Sequence, residues 1–122
     1  MTQITRSTLT STKNGGIITF FVDTTMRFAP HEVGSLWQLR LQMREDDSWP
    51  NPDDNLSSST ARNFRVNNAT ERVQMTRRLS TGTVDTEWGD EEVYGHVTVR
   101  PLEPPPAMRA DTAQTNILVV NE

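Results

Sequence analysis

The sequence predicts an all-β fold. The expected architecture is a two-sheet antiparallel β-sandwich, immunoglobulin-like or jelly-roll-like, with about seven strands and little or no helix. Three observations carry this. Apolar and polar residues alternate with a period of two over long stretches, as in a half-buried strand. The chain holds 17 threonines, β-branched residues that suit a pleated surface with one wet face. No segment repeats its apolar residues at helical spacing for more than about one turn.

Each element can be read in order. Residues 2–10 alternate weakly and predict an edge strand. Asn14-Gly15-Gly16 supplies the turn chemistry of a tight hairpin. In 17–28, Ile18, Phe20, Val22, Met26 and Phe28 share one face with Thr24. A short loop follows, bounded by Pro30 and Gly34. In 37–43, Trp37, Leu39, Leu41 and Met43 alternate with Gln38, Arg40 and Gln42, the clearest strand of the chain. Phe64 and Val66 mark a shorter strand. Asn67-Asn68-Ala69-Thr70 predicts a turn joining it, as a central hairpin, to a strand carrying Val73, Met75 and Leu79. Val93, Val97 and Val99 form one face of 93–100, with Tyr94, His96 and Thr98 on the other. Pro104-Pro105-Pro106 cannot donate to a ladder and predicts a stiff connection. The continuous apolar run 117–120 predicts a last strand buried on both faces.

The length of 122 residues predicts one domain over 1–122, large enough to bury a core without staples. The absence of cysteine excludes disulfides, thiolate metal sites and cysteine nucleophiles. No apolar run is long enough to span a membrane as a helix. The first residues lack an apolar signal core, which predicts cytoplasmic synthesis without a classical secretion signal. The net charge of −4 gives no basis for nucleic-acid binding by bulk charge.

That net charge is unevenly spread. Antiparallel strands alternate direction, so loops alternate ends. This parity puts two acidic stretches at one end. The first carries Glu45, Asp46, Asp47, Asp53 and Asp54 with Trp49. The second carries Asp85, Glu87, Asp90, Glu91 and Glu92 with Trp88. Ten of the sixteen carboxylates lie there with no basic residue among them, which leaves the rest of the chain at a formal +6. Arg62, Arg65, Arg72, Arg77 and Arg78 concentrate the basic charge on the expected central hairpin. Indole in a wet loop is a common interface anchor.

Clustered aspartates can also bind calcium, and Asp46, Asp47, Asp53 and Asp54 are the candidate ligands. This resembles the calcium-dependent lipid-binding sandwich, whose ions sit in loops at one end, although the spacing differs. Otherwise no cofactor is expected. Trp37 resembles the buried tryptophan of immunoglobulin-type sandwiches, without their cysteine pair. No nucleophile elbow, zinc-binding helix motif or phosphate-cradling loop is present. His31 and His96 have no sequence neighbour that would activate them. The expectation is a non-enzymatic structural or interaction subunit of a larger assembly, such as a viral or phage particle or a bacterial filament or surface layer. Its partners would be proteins, in a homo- or hetero-oligomer. The alternative is a recognition module that binds a carbohydrate or a protein through the acidic tryptophan loops, with or without calcium.

Overall fold

A computed structural model describes residues 2–45, 54–56, 58–81, 91–102 and 110–120. The chain forms β1 (Gln3–Asn14), β2 (Ile17–Arg27), β3 (Leu36–Glu45), β4 (Asp54–Asn55), β5 (Thr60–Arg65), β6 (Thr70–Ser80), β7 (Glu91–Pro101), β8 (Asp111–Gln114) and β9 (Leu118–Val120). A 3-10 turn, Pro30–Glu32, lies between β2 and β3. Two antiparallel sheets result, and they pack as a β-sandwich.

The first sheet has the order β1-β2-β6. The second is built on the central pair β3-β7. Its outer positions are both broken: β5 and β4 pair successive parts of β3, and β8 and β9 pair successive parts of β7. Among the described residues, the nine strands therefore fill three positions in one sheet and four in the other. This order, β1-β2-β6 against β5-β3-β7-β8, is that of a constant-type immunoglobulin sandwich whose fourth strand has moved to the second sheet. It selects the immunoglobulin-like of the two expected topologies.

Alternation dictates the core. On β2, Ile18, Phe20, Val22 and Met26 are buried, while Ile17, Phe21 and Arg27 are exposed. On β3, Trp37, Leu39, Leu41 and Met43 face the same interior, and Val93, Val97 and Val99 meet them from β7. Burying each such side chain contributes about 1.5–3 kcal/mol. Trp37 is fully buried and stands edge-on to Phe28, with ring centroids 5.2 Å apart. Its indole N–H donates to Ser35 Oγ at 2.8 Å, so its one polar atom is satisfied.

The flanks of the sandwich are closed by polar side chains. Asp111, on the inner face of β8, accepts the Ile4 N–H of β1 at 2.8 Å. Asn116 accepts the Leu9 N–H at 2.7 Å and donates to the Leu9 carbonyl at 3.2 Å. On the opposite flank Arg62 of β5 donates to the Gln74 carbonyl of β6 at 2.9 Å. These bonds join edge strands of different sheets, which no ladder could connect.

One end of the sandwich is tied shut. The β2–β3 and β5–β6 connections hydrogen-bond each other through Phe28 N to Ala69 O (2.7 Å), Gly34 N to Val66 O (2.6 Å) and Val66 N to Ser35 O (3.0 Å). Gly34 adopts φ +94°, open to glycine and costly for other residues. Buried Glu32 accepts from the Thr2 hydroxyl and the Ala29 N–H, and Glu71 accepts from the N–H groups of Asn67 and Asn68. At the other end the β1–β2 hairpin turns through Gly15 at φ +62°, as the first position of a type II′ turn requires.

Three expectations are corrected. Residues 60–65 and 70–80 do not form a hairpin: β5 pairs β3 and β6 pairs β2, so the turn between them is an arch from one sheet to the other. The apolar run 117–120 is not buried on both faces. It sits on a sheet edge, with Ile117 and Val119 each more than half exposed, because β9 pairs only with the start of β7. Glu45 is not an exposed loop residue. It is the last residue of β3 and is buried at 2% exposure, in phase with Leu41 and Met43.

Candidate functional site

The pairing of β3 with β7 sets Glu45 opposite Val93, and β4 returns Asp54 to the side of Glu45. The acidic stretch that follows β3 and the one that precedes β7 therefore attach to one corner of the second sheet. That corner lies opposite the tied end, in agreement with the parity argument. Asp46, Asp47, Trp49, Asp53, Asp85, Glu87, Trp88 and Asp90 lie outside the described residues, and so do three of the four calcium candidates. The main chains of Asp54 and Glu91 belong to β4 and β7, and Glu92 is exposed on β7. Among the described residues no group of three His, Asp or Glu side chains is placed to hold a metal ion.

The body between the ends treats its charges unequally. Its described carboxylates serve the fold. Asp111 and Glu71 accept main-chain N–H groups, Glu32 caps the 3-10 turn, and Asp23 grips Arg72. Burial pushes the Glu32 carboxyl up, but its hydrogen bonds from Thr2 and Ala29 outweigh this and hold it below the ordinary value. The arginines instead populate the outer faces. Register places Arg40, Arg44, Arg65 and Arg100 on the outside of the second sheet, with Arg44 over the Tyr94 ring at 6.0 Å. It places Arg6, Arg27, Arg72 and Arg78 on the outside of the first.

The five arginines assigned to one hairpin are thus divided. Arg65 lies on the outer face of the second sheet, and Arg72 and Arg78 on that of the first. Arg62 and half-buried Arg77 sit in the inward phase of β5 and β6, where Arg77 reaches Ser58 Oγ at 3.5 Å. His31 is exposed in the 3-10 turn, and His96 is half-buried between Gln42 and Gln114.

A feature not legible as a site in the sequence lies on the outer face of the first sheet. Three cross-strand rows line a groove of about 610 Å³: Arg6, Thr25 and Arg72; Thr8, Asp23 and Gln74; Thr10, Phe21 and Thr76. Asp23 accepts Arg72 Nε through both oxygens, at 2.8 and 2.9 Å, and also pairs with its NH2 group. The Arg72 hydrogen bond draws the Asp23 carboxyl below its ordinary value. The polar phase of 6–10 and 21–25 is the sequence signal. It reads as a solvated face until the third strand, distant in sequence, completes each row.

No protein-family model matches this chain, and no curated protein sequence is similar to it.

Proposed function

We propose that the chain is a non-enzymatic structural and interaction subunit of a larger protein assembly, in which the acidic end of one subunit meets a basic face of a neighbour. Components of viral or phage particles and of bacterial filaments or surface layers are assemblies of this kind. The observation that carries the reading is the division of charge. The acidic stretches are rooted at one corner of the sandwich, the described carboxylates of the body are engaged internally, and arginines occupy both outer faces. Complementary fields of this form steer partners and fix their orientation. A contact between unlike surfaces repeats from subunit to subunit, giving a ring or a filament.

The test is a quadruple variant, Asp46→Asn, Asp47→Asn, Glu91→Gln and Glu92→Gln. Light scattering coupled to size exclusion should show concentration-dependent association of the natural protein, weakened by added salt. The variant should lose that association and keep its melting temperature. Association unchanged by the four substitutions would overturn the proposal.

A further inference from the structure

The groove on the outer face of the first sheet is lined by an aromatic ring, a carboxylate and two guanidinium groups. Phe21 stands on the central strand in the row at one end of the groove, 42% exposed, on a face whose opposite side already fills the core. Thr10 and Thr76 flank it in the same row. One row along, the Asp23 carboxylate is fixed by the Arg72 fork, with Thr8 and Gln74 on either side. Arg6 stands at the far row, its Nε donating to Thr8 Oγ1 at 3.3 Å. The groove therefore offers an aromatic face, a fixed carboxylate acceptor, two guanidinium donors, hydroxyls and an amide. With strands about 4.8 Å apart and rows about 7 Å apart, its floor measures roughly 13 by 10 Å.

We propose that this groove is a binding site for an acidic saccharide, a short chain of sugar rings bearing carboxylates. The C–H face of a ring packs on Phe21, its hydroxyls meet Asp23, Gln74 and Thr8, and a sugar carboxylate is held by Arg6 and the outer edge of Arg72. Other ligand classes fit less well. A peptide strand needs an open sheet edge, and the main chain of central β2 is already paired on both sides. A simple polyanion gains nothing from Asp23 at the centre. An apolar ligand would strand the arginines, Gln74 and the threonine hydroxyls. The two arginines against one aspartate leave the groove positive, which favours an acidic sugar over a neutral one. This inference is independent of the acidic end and of assembly.

The test is calorimetric titration of the full chain with trigalacturonic acid, with maltotriose and poly-glutamate as comparators. Trigalacturonic acid should bind, and maltotriose should bind about tenfold more weakly or not at all. Phe21→Ala and Arg6→Gln should each weaken binding about tenfold, on the scale of one lost aromatic or charged contact. Phe21→Tyr should restore it, and Arg78→Ala, on the same face outside the groove, should leave it unchanged. Both key side chains are exposed, so melting temperatures should stay within a few degrees of the natural protein. Three results would each overturn the proposal: no heat with trigalacturonic acid up to about 10 mM, equal affinity for poly-glutamate, or full affinity in folded Phe21→Ala.

Discussion

The side-chain amide of Asn116 pairs with the main chain of Leu9 as a neighbouring strand would. It accepts the Leu9 N–H at 2.7 Å and donates to the Leu9 carbonyl at 3.2 Å. One side chain thus satisfies both edge-facing groups of a β1 residue whose own side chain is in the core. Asn116→Ala should cost about 1–2 kcal/mol in urea unfolding, the net value of two such bonds. Asn116→Asp should recover part of that loss, because it can still accept the N–H but cannot donate to the carbonyl. A wild-type midpoint for Asn116→Ala would show that water replaces the amide without cost.

Trp37 should be the most sensitive position of the core. Trp37→Ala removes a fully buried indole, and large-to-small changes of this kind cost about 3–5 kcal/mol. Trp37→Phe should cost less, since a ring remains to meet Phe28, yet it leaves the Ser35 hydroxyl without its indole donor. Equilibrium denaturation of both variants gives the ranking directly.

Acid should destabilise the fold through two carboxylates. Arg72 holds Asp23 below its ordinary value; burial raises Glu32, but hydrogen bonds bring it below its own. A carboxyl whose value is lower when folded contributes stability above its unfolded value, near 4. That contribution is lost as pH falls through the folded value. Melting temperature should therefore be flat from about pH 7 to 5 and fall below about pH 4. Glu32→Gln should flatten the acid limb more than Asp23→Asn, because the Asp23–Arg72 pair is largely exposed and screened. An unchanged acid limb in Glu32→Gln would assign the loss to other groups.

Gly95 is a packing requirement of β7. A Cβ there would lie 2.9 Å from Leu41 Cδ1 and 3.2 Å from Thr115 Cγ2. Thr115 fills the space beside the glycine and bonds it twice, through Gly95 N to Thr115 Oγ1 (2.7 Å) and Thr115 N to Gly95 O (2.8 Å). Gly95→Val should cost about 1–3 kcal/mol by overpacking. Gly95→Ala should cost less, since the tip of Leu41 can rotate away. Thermal melts of the pair should show that order.

The strands that carry the core were legible because each obeys a period of two within its own few residues. Ile18 to Phe28 and Trp37 to Met43 needed no partner to reveal their inner face. What escaped was set by residues far apart in sequence. Arg62, Asp111 and Asn116 are polar residues with no apolar pattern to mark them, yet each is recruited to a flank by a strand of the other sheet. Glu45 kept the inward phase of β3 one residue past the apolar run. The run 117–120 carried the hydropathy of an interior strand, but nothing packs on its outer side among the described residues. The shared end of the strand termini that flank the acidic stretches was legible from parity, since antiparallel neighbours reverse the chain. The groove was not, because it exists only where three strands from two chain segments lie side by side.

The side-chain closure of the flanks limits how copies of this protein can polymerise. A bare sheet edge recruits further strands and leads toward amyloid-like stacking. Here the Ile4 N–H, both main-chain groups of Leu9 and the Gln74 carbonyl are already occupied by Asp111, Asn116 and Arg62. An ordered polymer of this domain cannot grow by adding strands at those positions. In the end-to-face assembly proposed above, each sandwich stays a separate folded bead that can be removed without unravelling its neighbour.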